Sequence, residues 1–362
     1  MISLSWGFNR LSIMDLSSNG NQPFKYNSCE LVCNGEVYNY QSLKELLSNK
    51  YTFHSNSDCE ILIPLYYKYG IEIMCKMLDA EFSLVLYDNE TNSIMAARDP
   101  MGIRPMFYGY TKEDHKISFA SEAKALIDYC ENIMPFPPGH YYKDGQFICY
   151  NDLSDPKFIN NDNLNVIFTN IKTKLISAVE KRLHADAPIG YLLSGGLDSS
   201  LVCSIAQKLI NKPIKTFAIG MESDPIDLKY AKQAAEFLGT DHTEVIITKD
   251  DVLNSLEEVI YHLETFDITT IRASIGMYLL CRYIHENTDL KVILIGEVSN
   301  ELFGYKYTDF APSPSEFQKE YKYPILLAKV NNKIRELTSI YEHIDELNIE
   351  KISEVSDMVF RF

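Results

Sequence analysis

The run Ser194-Gly195-Gly196-Leu197-Asp198-Ser199-Ser200 gathers two glycines, three hydroxyls and one carboxylate in seven residues. An apolar stretch over 189–193 precedes it, and a helix-like pattern follows. A glycine-rich turn between a buried strand and a helix start leaves several backbone N–H groups unpaired, backed by the positive end of the helix dipole. Such a turn holds pyrophosphate. The glycines let the backbone approach the anion closely, the hydroxyls add donors, and Asp198 supplies a hard oxygen ligand suited to Mg2+. The string carries no Gly-Lys-Ser/Thr and is therefore not a Walker pattern. A surface Gly-Ser turn with an ordinary N-cap aspartate is the bland alternative.

The surrounding pattern must supply the strand and the helix. Helices are predicted over 164–182, 200–210, 227–238, 251–263 and 273–285, and strands over 189–193, 214–219, 243–247 and 292–295. Strands alternating with helices imply an α/β doubly wound parallel sheet, whose ligands sit at the carboxyl ends of its strands. Both 194–200 and 296–301 fall at such ends, so they are expected to face one crevice. The first part reads differently: short strands over 30–33, 82–87, 93–97, 107–110 and 117–120 are interrupted by helical patterns at 40–47, 59–69 and 121–127. Asn39 precedes the first of these helices as a possible cap. That arrangement implies layered α+β packing, and the polar stretch 151–163 sets the boundary between domains 1–160 and 161–362.

Bulk properties narrow the function classes. The 362 residues carry 34 basic against 50 acidic side chains, a net charge of −16, which argues against a nucleic-acid surface. The one notable basic cluster is at 322–333. No apolar run reaches bilayer length and the N-terminus lacks a signal-peptide layout, so a cytoplasmic protein without a membrane partner is expected. Eight cysteines without C-x-x-C spacing read as reduced core thiols, with Cys29-x-x-x-Cys33 the weak exception.

Ser-Gly-Gly-x-Asp-Ser resembles the pyrophosphate loop of the N-type ATP pyrophosphatases, which split ATP into AMP and pyrophosphate. In the first part, five strings occur in order: Arg10-Leu11-Ser12-Ile13-Met14-Asp15, Asn34-Gly35-Glu36-Val37-Tyr38-Asn39, Ser57-Asp58-Cys59-Glu60, Arg98-Asp99-Pro100-Met101-Gly102-Ile103-Arg104-Pro105 and Ser121-Glu122-Ala123-Lys124-Ala125-Leu126. Together they resemble the class-II glutamine amidotransferase domain of glutamine-hydrolysing asparagine synthetases, an Ntn-type αββα sandwich, here truncated. The resemblance implies a glutamine pocket lined by Arg10, Leu11, Ser12, Ile13, Met14, Asn34, Gly35, Glu36 and Asp58. Arg10 would fork onto the α-carboxylate, Asp58 would hold the α-ammonium, and Asn34 with the Gly35 N–H would form an oxyanion hole. Taken alone, Asn34-Gly35 also reads as a type I′ hairpin turn.

The second part extends the resemblance, which covers residues 8–320. Leu193, Ser194, Gly195, Gly196, Asp198, Ser199, Ile219, Ile295 and Gly296 would bind ATP, and Mg2+ would sit between Asp198 and Asn300. The segment 262–274 is similar to the part of the family that receives aspartate, with Arg272 and Thr269 beside the reacting groups. Thr270 can also be read as a plain helix cap ahead of Ile271. Glu297 is the implied acid/base or structural contact.

Three positions depart from the family's Ser-Gly-Glu-Gly-Ser-Asp-Glu: Ile295 replaces a hydroxyl, Val298 a glycine and Asn300 a magnesium-binding aspartate. The family's N-terminal cysteine nucleophile is absent from Met1-Ile2-Ser3-Leu4, so the printed chain is expected to use ammonia rather than hydrolyse glutamine. Its phosphate-contacting lysine likewise has no identified counterpart in the tail. Asparagine synthesis, in the homodimeric form the family favours, is the leading expectation. A β-lactam synthetase-like enzyme, or a degenerate homologue that binds nucleotide, glutamine or a partner, is the alternative.

Overall fold

The computed structural model describes residues 4–153, 162–223 and 225–297. They fall into two compact units, one before and one after the break at 154–161. In the first unit β1 (Phe24–Tyr26), β2 (Cys29–Val37), α1 (Tyr40–Leu47), α2 (Leu62–Met77), β3 (Ala80–Asp88) and β4 (Ser93–Arg98) come first. They are followed by β5 (Phe107–Thr111), β6 (Ile117–Ala120), β7 (Cys130–Pro135), β8 (His140–Lys143) and β9 (Gln146–Cys149). An antiparallel sheet runs β1-β2-β3-β4-β8-β9, and a smaller one runs β6-β5-β7.

Alternation along the strands decides the layers. Leu31, Cys33, Leu84, Leu86 and Ala97 face α1 and α2, while Val85, Ala96 and Tyr142 face the opposite way, onto Tyr108 and Phe119 of the second sheet. Helices, sheet and sheet stack in that order, which is αββ of the expected sandwich among the described residues.

Three local expectations need correction. Asn39 stands at the N-cap position of α1, yet its side chain bridges elsewhere, donating to the Met77 carbonyl and accepting from the Asp79 N–H. The helix expected over 59–69 is a 3-10 turn, Asp58–Ile61, followed by α2, which is itself interrupted at Gly70 where φ is +76°. The helix expected over 121–127 is only the 3-10 turn Ala123–Ala125. Cysteine placement also differs in part: Cys149 and Cys281 are exposed. Cys29 and Cys33 stand four residues apart on one strand, about 13 Å along it, too far to bond.

The second unit contains α3 (Leu164–Arg182), β10 (Ile189–Leu192), α4 (Leu197–Leu209), β11 (Lys215–Met221) and α5 (Ile226–Leu238). After them come β12 (Asp241–Ile247), α6 (Lys249–Leu263), α7 (Ile268–Asn287) and β13 (Val292–Leu294). The sheet is parallel, in the order β12-β11-β10-β13. One face packs on α3, α4 and α5 through Tyr191, Leu193 and Ile214; the other meets α7 through Phe217 and Val245, so the sheet is doubly wound. The winding reverses between β10 and β13. Ligands of such sheets bind where the order reverses, outside the carboxyl ends of the strands.

Four helices of this unit, α4 to α7, start earlier than apolar periodicity indicates, and polar side-chain caps account for two of them, α6 and α7. α7 begins at Ile268 rather than 273: Asp267 is its cap and accepts from the Thr270 N–H at 2.8 Å and hydroxyl at 2.9 Å. Thr270 is therefore inside the first turn and is not the cap. α6 opens with a capping box between Thr248 and Asp251.

Candidate functional site

A cavity of about 260 Å³ in the first unit is walled by β2, the turn Asp58–Ile61 and the irregular segment 7–14. Arg10, Leu11, Ile13, Met14, Asn34, Gly35, Glu36 and Asp58 line it; Ser12 stands outside the wall. Asn34-Gly35 lies inside β2, paired with Ser83 and Phe82, and is not a hairpin turn. Gly35 is needed for proximity: a Cβ there would run into the Glu81 carbonyl oxygen. Carboxylates hold the loops in place. Asp15 accepts from the Asn56 N–H at 2.8 Å, tying segment 7–14 to the chain before the turn. Glu60 accepts from the His54 and Ser55 N–H groups, both at 2.7 Å, and Asp58 accepts from the Val37 N–H at 2.5 Å.

Arg10 is engaged differently from the expected free fork. Its guanidinium donates to the Ser17 carbonyl at 2.7 Å, Asn21 Oδ1 at 3.0 Å, the Met14 carbonyl at 3.0 Å and the Asp15 carbonyl. Four acceptors saturate its four terminal N–H groups. Gly20 is beneath it because any Cβ would collide with the guanidinium. Arg10 therefore builds the wall, and a ligand carboxylate would have to replace a carbonyl acceptor.

The opposite wall is acidic. Burial, then the neighbouring Asp58 carboxylate, pushes Glu36 up to about 9, with Arg104 acting against the rise and Glu81 with it. Burial also raises Asp58, with backbone N–H groups of Val37 and Cys59 acting against the rise, so the two carboxyls share the proton as a coupled pair. A carboxyl raised on folding stabilises the fold fully below its unfolded value, 4.5, and that contribution is lost as pH climbs through about 9. Urea unfolding between pH 6 and 9 should therefore show stability falling with pH, and Glu36→Gln should flatten the slope. An unchanged slope in that variant would remove Glu36 as its source.

Arg104, Ser83 and Cys59 also line this cavity, and the motif reading did not assign them to it. Arg104 bonds Glu81 Oε1 at 2.5 Å through Nη2, while its Nε is buried without a partner among the described residues. Asp99 fixes the loop that delivers it, accepting from the Met101, Ile103 and Arg104 N–H groups at 3.0–3.1 Å. The signal was in the string 98–105, whose one charged residue past the turn is Arg104.

In the second unit a crevice of about 390 Å³ lies at the carboxyl ends of β10, β11 and β13. Leu193, Ser194, Asp198, Ser199, Ile219, Ile295, Gly296 and Glu297 line it. The backbone of Gly196 caps α4 without a side-chain bond, which leaves the first-turn N–H groups at the helix mouth. Ser194 and Ser199 close the turn, their hydroxyls 2.9 Å apart. Gly195, at φ +80°, packs against the Tyr230 backbone of α5. Gly296 meets the Asp198–Ser199 peptide: a Cβ there would lie 2.8 Å from the Asp198 carbonyl carbon and from the Ser199 nitrogen. The end of β13 thus meets the first turn of α4.

Leu193 is fully buried and forms the crevice floor. Ala273, Gly276, Met277 and Leu280 present one stripe of α7 to the crevice. Thr269, one turn before Ala273, continues that stripe and Arg272 stands at its margin; both are exposed. Asn300 and Val298 lie outside the described residues. Asp227, in the first turn of α5, lines the same crevice and was not singled out from sequence. No group of three or more His, Cys, Asp or Glu fit to cage a metal occurs among the described residues. Asp198 and Asp227, in the first turns of α4 and α5, both bring carboxylates to the crevice. No described helix is long and apolar enough to cross a membrane.

A family model described as Asparagine synthase matches residues 170–358, and one described as Glutamine amidotransferase domain matches residues 3–139. The first match runs past residue 320, where the motif-level resemblance ends. A probable glutamine-hydrolysing asparagine synthetase of Acanthamoeba polyphaga mimivirus is 41% identical over 345 residues, 88% of this chain and 62% of that one. The glutamine-hydrolysing asparagine synthetase of Zea mays is 42% identical over 327 residues, 86% of this chain and 54% of that one. The chain thus spans between half and two thirds of the length of these relatives. Among solved structures, a glutamine phosphoribosylpyrophosphate amidotransferase from B. subtilis shows a TM-score of 0.32 at 17% identity, over 63% of this chain and 49% of that one.

Proposed function

Because this chain belongs to the asparagine synthase family, we propose that it converts aspartate, ATP and a nitrogen donor into asparagine, AMP and pyrophosphate. The observation that supports this most is the contact of Gly296 with the Asp198–Ser199 peptide, which joins the glycine-rich turn and the end of β13 into one phosphate-sized crevice. ATP would lie with its phosphates at the mouth of α4, held by first-turn N–H groups, Ser194 and Ser199, and its adenine against Ile219. Asp198, with Asn300, would hold Mg2+, which neutralises phosphate charge when bound. Thr269 and Arg272 would orient aspartate so that its side-chain carboxylate attacks the α-phosphorus and pyrophosphate leaves. Ammonia would then attack the activated carbonyl and release AMP, with Glu297 placed to manage the proton. Glutamine is the donor the first unit's cavity suits, between Arg10, Asn34 and Asp58. A boundary at residue 160, a cytoplasmic location and homodimerisation go with this reading.

The test is pyrophosphate release by the purified chain, with and without aspartate, supplied with ammonia, glutamine or neither. Aspartate-dependent release is expected. Release independent of aspartate, or none at all, would overturn the reading.

A further inference from the structure

Arg10 stands in the wall of the first unit's cavity with its terminal donors already engaged, so a ligand carboxylate that pairs with it must first displace an acceptor. The four acceptors are not equivalent. The Met14 and Asp15 carbonyls belong to buried residues, and losing the guanidinium would leave them unpaired at the full desolvation cost. The segment that carries them and the Ser17 carbonyl is also fixed. The Asp15 carboxylate accepts from the Ser17 N–H at 3.0 Å, the Ser17 hydroxyl at 2.6 Å and the Asn56 N–H at 2.8 Å.

Asn21 differs from the other three. Its Oδ1, 3.0 Å from Arg10 Nη1, is the one acceptor on a side chain, and the residue is exposed, so the amide can turn to water and exchange one hydrogen bond for another. Its main chain would stay in place. The Asn21 N–H donates to the Ser18 carbonyl at 3.1 Å. The next residue, Gln22, brackets Cys33 of β2, accepting from its N–H at 2.6 Å and donating to its carbonyl at 3.0 Å. Asn21 itself is outside the cavity wall and reaches a ligand only through Arg10.

We propose that Asn21 sets the pocket's affinity for a ligand's α-carboxylate by competing with it for Arg10. The amide oxygen holds one guanidinium N–H until a carboxylate takes it, which makes Asn21 a positioning residue. This rests on the glutamine-pocket reading and adds to it the acceptor that is exchanged. The exchange runs toward the ligand because a hydrogen bond from guanidinium to carboxylate is about twice as strong as one between neutral groups. The ligand must still offset the bond that Asn21 loses. A side chain that cannot accept removes the competitor; a carboxylate at the same place strengthens it and repels the ligand.

Calorimetry on the whole chain tests this with glutamine and with 4-aminobutanamide, which is glutamine without its α-carboxylate. Asn21→Ala should bind glutamine about fivefold more tightly than the parent, the worth of one ordinary hydrogen bond. Asn21→Asp should bind it more weakly by about that factor or more. Neither substitution should change the affinity for 4-aminobutanamide. Equal shifts for both ligands would show that Asn21 only shapes the loop, and unchanged or weaker glutamine binding in Asn21→Ala would show that Arg10 does not exchange this acceptor. Either result overturns the proposal and leaves the pocket reading standing. Glutamine binding absent from the parent and from both variants would defeat the pocket reading, and the proposal with it.

Discussion

Alanine at Asp198 is expected to lower aspartate-dependent pyrophosphate release by about 100-fold or more, since losing even an outer-shell partner of a bound metal costs 10–100-fold. The fold should barely register the change. Asp198 is in the first turn of α4, where its charge interacts with the helix dipole, a contribution of about 0.3–1 kcal/mol. Activity and melting temperature should therefore separate. The charge argument adds a second readout. With Mg2+ present the variant should bind ATP more weakly, because a hard anionic ligand has gone. With chelator present it should bind ATP no worse than the parent, because a negative charge has left an anion site. Asp198→Asn, which keeps an oxygen but no charge, should fall between the two. Release close to the parent's in Asp198→Ala would remove the residue from the site, and weaker ATP binding in chelator would show that its role is in packing.

The same loop shows why part of the molecule was readable before any coordinates. Parallel α/β units announce themselves through long helical periods and short apolar strands, so the second unit's elements and the meeting of 194–200 with 296 followed from chain order alone. Helix starts were displaced because Asp267 and Thr248 act through hydrogen bonds that apolar periodicity does not register. In the first unit, Asn39 had the sequence mark of a cap and spends its amide on Met77 and Asp79 instead, a contact set by the packing of α2 against α1's entry. Arg10 was legible as a pocket residue but its partners were not. Its four acceptors are three carbonyls and one amide oxygen, which leave no trace in the sequence. Asp227 escaped for the opposite reason: one carboxylate at a helix start looks like any other favourable dipole contact until the sheet order brings it to the crevice.

Gly296→Ala carries the second large effect. Its backbone rests on the Asp198–Ser199 peptide so closely that a methyl group would approach the Asp198 carbonyl carbon and the Ser199 nitrogen at 2.8 Å, and the Asp198 carbonyl oxygen at 3.0 Å. The neighbours are backbone, held by the start of α4, and have no side chain that could swing away. Relief must come from moving the end of β13 off the first turn of α4. Overpacking of this kind costs about 1–3 kcal/mol. A displacement of the order of 1 Å at a positioning site costs about 100-fold in rate, so the loss of pyrophosphate release should far exceed the loss of fold. Measured per folded molecule, after correction by circular dichroism at the assay temperature, release should drop by about that factor while ATP binding weakens less. The reason is geometric: first-turn N–H groups of α4 remain to hold phosphate, but Glu297, which follows directly on Gly296, is carried out of register with it. A variant that melts earlier yet releases pyrophosphate at the parental rate would mean that the close approach of the end of β13 to the first turn of α4 serves packing alone and that the reacting groups are positioned by something else.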